Sequence, residues 1–319
     1  MTTRSFSKIA TAVISLLSLA GAGLVAAAPA TAEEAPALMT WPDLLARNLP
    51  RPDETLLFGP LEQNSGDLWL PTEREEGSSP PVVIMIHGGC WQKSIADRTL
   101  MNYAARALAD AGFAVWNIEY RGVDEQGGGY PGTFQDVALA GDVMRDLAVE
   151  FNLDLDRTIA YGHSAGGHLA VWLASRLRLP KSSPLYTEDP VALTGVVNTG
   201  GLADLEASAP VTLPTCLAAI EDTLIGRGLP DREDPYADTS PDRLLPIGTP
   251  IVSINGDRDG IAPPSLGEAF TEEARAAGDT ARTVVVPNTG HVELIAPGTA
   301  AFDETIAVIR ELTDTPSAP

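Results

Sequence analysis

Val82-Val83-Ile84-Met85-Ile86 is an unbroken apolar run with no polar side chain to turn toward water. A strand of that composition must be covered on both faces, as in a parallel sheet with helices above and below it. Comparable short runs recur at Phe113 to Ile118, Thr158 to Tyr161, Leu193 to Val197, Pro250 to Ile254 and Thr283 to Val286. Between them, residues 96–111, 134–151, 165–179, 265–277 and 301–312 carry apolar residues at helical spacing. Strand and helix alternating over short links specify an α/β fold, a mainly parallel sheet with helices on both faces and right-handed crossovers. The opening differs. Thr55 to Pro71 reads as two short strands joined through Gln63-Asn64-Ser65-Gly66, an antiparallel pair at one edge.

The 319 residues, 44% of them apolar, suffice for one generous core. The alternation breaks between Gly201 and Pro246, where a Pro-rich, acidic stretch too long for a plain loop is expected to carry its own helices, cap the sheet and largely set the substrate pocket. Lys and Arg total 21 against 43 Asp and Glu, and the cations are not clustered, which excludes phosphate-backbone binding and with it nucleic acid as a partner. At the N-terminus, Arg4 and Lys8 precede an uncharged run from Ile9 to Ala28, then Ala30-Thr31-Ala32 and Glu33-Glu34. That order is expected of a secretory signal peptide over 1–32, cleaved after Ala32, leaving a secreted protein with no stable membrane association. Residues 33–54 then form an N-terminal extension, 55–312 the domain and 313–319 a frayed tail. Export permits a disulfide, and Cys90 and Cys216 allow one pairing, subject to a Cα separation that spacing alone does not supply. Two cysteines without a nearby histidine pair are not a zinc site.

Gly162-His163-Ser164-Ala165-Gly166 fits G-x-S-x-G in the setting that gives the pattern meaning, after a strand and opening an Ala-rich helix. Ser164 is then a candidate nucleophile on a tight strand-to-helix turn. His87-Gly88-Gly89-Cys90-Trp91 follows another buried strand; amides of Gly88, Gly89 and Cys90, with that of Ala165, are candidate oxyanion donors. A serine hydroxyl needs a base. Of four histidines, His87 lies in the glycine turn and His163 and His168 flank Ser164 too closely to swing onto it, which leaves His291 in a Gly-containing loop after the last strand. Asp257 and Asp259 both follow the strand ending at Ile254; Asp259, further into the loop, is the expected partner of the imidazole, with Asp257 capping the turn or pairing with Arg258. Trp91 and His163 are candidates for the substrate pocket, Trp91 alternatively for the core. Glu119-Tyr120-Arg121 is expected to hold a structural ion pair. Gly127-Gly128-Gly129 lacks the Gly-Lys-Ser/Thr ending of a phosphate loop and reads as an ordinary loop.

These segments resemble the α/β-hydrolase superfamily, in particular the small esterases related to hormone-sensitive lipase and kynurenine formamidase. The similarity lies in the strand followed by His87 to Trp91, in Gly162 to Ala170, Gly256 to Pro264 and Thr289 to Gly298, and in Asp67-Leu68-Trp69-Leu70-Pro71 upstream. The order Ser, Asp, His along the chain is that of the superfamily. The resemblance implies an eight-stranded sheet, no cofactor or metal, and hydrolysis of carboxylic esters or of formyl and acyl amides through Ser164, Asp259 and His291. It also supports Asp259, which occupies the acidic position of that family's pattern between Gly256 and Pro263. Cys90 stands where many members have a third glycine. Alternatives are an amidase or peptidase on the same fold, resembling kynurenine formamidase, and a non-catalytic binding module that kept it.

Overall fold

Strand β3 (Pro81–Ile86) shows how the layers are built. Successive side chains of a strand point to opposite faces. Val82, Ile84 and Ile86 are fully buried in one apolar cluster, and Val83 and Met85 in a second, on the other face. The computed structural model describes residues 36–75, 77–212 and 216–314. The signal sequence expected over 1–32 and residues 315–319 lie outside them.

Among the described residues one sheet has eight strands: β1 (Glu54–Leu57), β2 (Ser65–Trp69), β3, β4 (Ala114–Ile118), β5 (Asp154–His163), β6 (Gly195–Thr199), β7 (Ile251–Gly256) and β8 (Ala281–Val286). They lie in the order β1-β2-β4-β3-β5-β6-β7-β8. The pairs β1/β2 and β2/β4 are antiparallel and the others parallel. Helices α3 (Gly132–Asp142), α4 (Met144–Phe151), α5 (Ala165–Ala174) and α8 (Pro264–Ala277) bury Phe134, Leu147, Trp172 and Phe270 against the first face. Helices α1 (Trp41–Leu45), α2 (Asn102–Asp110) and α9 (Ala300–Asp314) bury Leu44, Leu108 and Phe302 against the second. The architecture is the α/β-hydrolase one expected.

Several details differ from the sequence reading. Ser65 and Gly66 do not form the first turn; they pair with Leu57 and Leu56 inside the sheet. Gly66 is needed there because a Cβ would lie 2.5 Å from the indole of Trp116. The helix expected over 134–151 breaks at Val143, and Thr313 and Asp314 belong to α9 rather than to a tail, with Thr313 buried and its hydroxyl donating to the Ile309 carbonyl. The 201–246 stretch carries α6 (Leu205–Ser208), α7 (Leu217–Ile225) and a 3-10 turn at Pro241–Leu244. No helix among the described residues is long and apolar enough to cross a membrane.

The topology decides where a site can form. β3, β5, β7 and β8 are parallel, so the loops after Ile86, His163, Gly256 and Val286 all emerge at one edge. The chain passes from β3 to β4 on one side and returns to β5 on the other, so the loops after β3 and β5 diverge and leave a crevice between them.

Candidate active site

Ser164 joins β5 to α5 with φ 55° and ψ −123°. A non-glycine residue there carries strain of order 1–3 kcal/mol, which surrounding structure must enforce. Its neighbours supply the clearance: a Cβ on Gly162 would lie 1.9 Å from the carbonyl oxygen of Gly166, and one on Gly166 would lie 2.1 Å from that of Ile86. The turn is tied down by the Ser164 amide, which donates to the Thr199 carbonyl at 2.9 Å.

His291 lies in the loop after β8, where its Nδ1 donates to Asp259 Oδ2 at 2.6 Å. Asp259 is buried, and its other oxygen accepts from the amides of Ile261 and Ala262 at 2.8 and 2.9 Å. The carboxylate is thus fixed from its own loop, and it selects the tautomer that leaves His291 Nε2 unprotonated and able to accept. Asp257 does something else. Its Oδ1 accepts from the Thr289 amide at 3.1 Å, stapling the β7 loop to the loop that carries His291. Arg258 donates away from Asp257, to the Pro36 carbonyl at 2.6 Å. His163 Nε2 donates to the His291 carbonyl at 3.1 Å, with the two rings 4.4 Å apart. Burial, and then the neighbouring His291, hold the His163 pKa well below the ordinary histidine value, so this ring is a neutral prop.

Ser164, His163 and His291 share a cavity of about 460 Å³ with Gly89 and Cys90. Among the described residues, none accepts a hydrogen bond from the amides of Gly89, Cys90 or Ala165, which leaves all three as donors. The Gly88 amide likewise meets no acceptor among the described residues, and Gly88 lies against His163 and Ser164, where an added Cβ would meet both at 3.0 Å. Trp91 is core and not pocket wall: it is fully buried and donates from Nε1 to His168 Nδ1 at 3.2 Å. Cys90 and Cys216 are joined in a disulfide, their Cα atoms 5.1 Å apart.

The rest of the cavity wall was not foreseen. It comes from Trp41 and Leu45 of α1, from Ile95, Ala96 and Leu100, and from Ile261. Among the described residues, none of 201–246 lines it, contrary to expectation, because that stretch packs beside it: His168 Nε2 and Trp172 Nε1 donate to the carbonyls of Thr239 and Asp238. The N-terminal segment is no loose extension. Pro36, Met39 and Arg47 are bonded to Arg258, Glu293 and Pro297, and Trp41 lies edge-on to His163 and His291 at 6.2 and 6.3 Å. A signal for it does exist in the sequence, because Thr40-Trp41-Pro42-Asp43 opens a helix: the Thr40 amide and hydroxyl donate to Asp43 at 2.8 and 2.6 Å. Among the described residues, no group of three His, Cys, Asp or Glu is placed to hold a metal ion.

A serine on a positive-φ turn at the mouth of such a sheet, with an Asp-oriented histidine on the same cavity, is the arrangement of the serine hydrolases of the α/β-hydrolase class. Residues 67–273 match the model of the BD-FAE family, and the chain belongs to that family. It is similar to an uncharacterized protein of Mycobacterium tuberculosis, 28% identical over 243 residues that cover 75% of this chain and 72% of that protein. It is also similar to pyrethroid hydrolase Ces2a of Mus musculus, 30% identical over 164 residues, 47% of this chain and 28% of that one. Among solved structures, an inhibited esterase B from Lactobacillus rhamnosis shares the fold, with a TM-score of 0.69 and 22% identity over 84% of this chain and 89% of its own.

Beneath the glycine turn lies a buried ionic network. His87 donates from Nδ1 to the Gly88 carbonyl at 2.7 Å and from Nε2 to Glu119 at 2.8 Å. Glu119 also pairs with Lys93 at 2.6 Å and Arg98 at 3.6 Å, and Arg98 with Asp67 at 2.9 Å. The structural ion pairing expected at Glu119-Tyr120-Arg121 is present, with partners outside the segment: Glu119 holds His87, Lys93 and Arg98, and Arg121 pairs with Asp136 at 2.7 Å. Burial alone would raise the Glu119 pKa, but the charge and hydrogen bond of His87, then those of Lys93, outweigh it and hold it down to about 2. A carboxylate depressed in the fold stabilises it above the ordinary glutamate value, and that contribution is lost as pH falls through the folded value. Glu119→Gln should therefore cost on the order of 3 kcal/mol at pH 7. In urea titrations the gap from wild type should close between the ordinary 4.5 and about 2; a gap that did not depend on pH would contradict this assignment.

Proposed function

We propose that the protein cleaves small neutral carboxylic esters by nucleophilic catalysis from Ser164. The observation that carries this reading is convergence: a strained serine, a carboxylate-oriented imidazole and unpartnered backbone amides meet at one apolar cavity. His291 Nε2 takes the proton of Ser164 as Oγ attacks the substrate carbonyl carbon. The carbonyl oxygen, now negative, is held by the amides of Gly89, Cys90 and Ala165. The imidazolium, stabilised by Asp259, returns its proton to the departing alkoxide; water then attacks the acyl-enzyme by the same route, releasing the acid and restoring Ser164.

The cavity supports the choice of substrate class. Its described lining includes no Lys, Arg, Asp or Glu, so nothing there compensates a charged substrate, whereas Trp41, Leu45, Ile95, Leu100 and Ile261 offer apolar contact. The names of the pyrethroid hydrolase and of esterase B are consistent with ester cleavage. Placement beside hormone-sensitive lipase and kynurenine formamidase is supported by the motifs and by Asp259 at the acidic position. Export is supported by the Ala30-Thr31-Ala32 order and by the Cys90–Cys216 bond, which oxidising compartments favour.

Ser164→Ala should lower kcat for a short-chain aryl ester by about 10⁴-fold or more, and Asp259→Asn by a similar order through the wrong tautomer. Asp257→Asn should cost less than about tenfold, since it removes a loop staple and not the imidazole's partner. Assaying an N-formyl amide alongside separates the amidase alternative, and an active Ser164→Ala would refute the mechanism. Trp41→Ala should raise KM for aryl or medium-chain esters by roughly tenfold while moving acetate esters little, because it removes apolar contact that only the larger groups use. N-terminal sequencing of exported protein should begin at Glu33; material starting at Met1 would count against cleavage.

A further inference from the structure

A backbone amide stabilises an oxyanion only while its residue holds the right conformation. Cys90 (φ 53°) and Trp91 (φ 54°) are successive non-glycine residues in the left-handed region, where a Cβ is crowded and glycine is the usual occupant. Both side chains are fastened to the same stretch of chain. Cys90 is bonded to Cys216, which immediately precedes α7 and lies fully within the core. Trp91 Nε1 donates to His168 Nδ1 at 3.2 Å, and His168 Nε2 donates to the Thr239 carbonyl at 2.8 Å. An indole nitrogen can only donate, so His168 must be neutral with its proton on Nε2. Burial, which pushes its pKa down to about 4, keeps it so.

Cys216 and Thr239 both belong to the 201–246 insertion, and the insertion is anchored independently of them. The Tyr130 amide donates to the Thr223 carbonyl of α7 at 3.1 Å, and Trp172 Nε1 to the Asp238 carbonyl at 2.9 Å. This stretch therefore grips the turn next to the cavity from a fixed base while contributing nothing described to the cavity wall.

We propose that the insertion is a brace for the oxyanion turn: Cys216 is a positioning residue that, through its bond to Cys90, keeps the Cys90 amide aimed at the reacting carbonyl, with Trp91, His168 and Thr239 as a second tie. This rests on the ester-hydrolase reading above. A brace of this kind acts on the transition state, where the negative oxygen exists, and so on kcat rather than KM.

The test compares wild type, Ser164→Ala, Cys216→Ala and the double variant Cys90→Gly/Cys216→Ala on p-nitrophenyl butyrate, with thermal unfolding of each. Cys216→Ala should lose about tenfold or more in kcat with KM changed less than about twofold. The double variant also lacks the bond, yet glycine takes φ 53° without strain, so kcat should return to within about threefold of wild type while Tm stays lowered. Rescue of kcat without rescue of Tm separates positioning from mere stabilisation. Equal kcat in Cys216→Ala and wild type, or equal losses in the single and double variants, would overturn the brace. If Cys216→Ala does not fold, excess dithiothreitol on folded wild type gives the same readout. The dithiol closes to its cyclic disulfide and passes two electrons and two protons to Cys90 and Cys216; kcat should fall with circular dichroism unchanged, and an undiminished kcat would overturn the proposal. An inactive wild type or an active Ser164→Ala would instead refute the ester-hydrolase reading itself.

Discussion

At Gly166 the first turn of α5 comes so near the end of β3 that a single methyl group would sit 2.1 Å from the Ile86 carbonyl oxygen. Around that contact the strand, the serine turn and the glycine turn are drawn together, with Gly162 against Gly166 and Gly88 against Ser164. Close backbone approach at glycine allows two diverging loops of a parallel sheet to present a hydroxyl and free amides to the same small volume. Larger residues at these positions would push the two halves of the site apart, and the distance tolerance of acyl transfer is below an ångström.

The strained turns are held from outside. Ser164 is bonded to Thr199 on the neighbouring strand, Cys90 is bonded to the insertion, and Trp91 is tied to it through His168. Below them the chain from Asp67 through Arg98 to Glu119, His87 and Lys93 sets alternating charges, with Asp67, His87 and Glu119 buried and the two longer cations partly exposed. Such a network contributes little net stability compared with an apolar one of the same shape, but removing one member leaves an uncompensated charge. Its effect is to hold His87, and with it the base of the glycine turn, in one orientation.

The cavity takes its character from parts of the chain remote from the catalytic loops. Helix α1, secured through Pro36, Met39 and Arg47 to the loops around His291, lays Trp41 across the histidines. An apolar wall beside a polar reacting centre excludes water from the oxyanion and strengthens the hydrogen bonds offered to it. The segment that lines the cavity is thus tied to the loops around the base.

Much of this was legible along the chain. The unbroken run at Val82 to Ile86 requires a strand covered on both faces, and period-2 burial follows from backbone geometry alone. Ser164 could be singled out because flanking glycines between a strand and a helix leave few other structures, and His291 because three of the four histidines were bound to other places by their positions. The rest needed three dimensions. Asp259 could be preferred to Asp257 from its place further into the loop, but the direction of each side chain is what sends one to the Thr289 amide and the other to the imidazole. Trp91, readable from sequence as wall or core, is core, and the wall is supplied by Trp41 from the N-terminal extension, because pocket lining is a property of which distant elements fold back, and hydrophobicity is the same signal for both. The pairing of Cys90 with Cys216 turned on one Cα separation across 126 residues, a quantity that local preference does not contain.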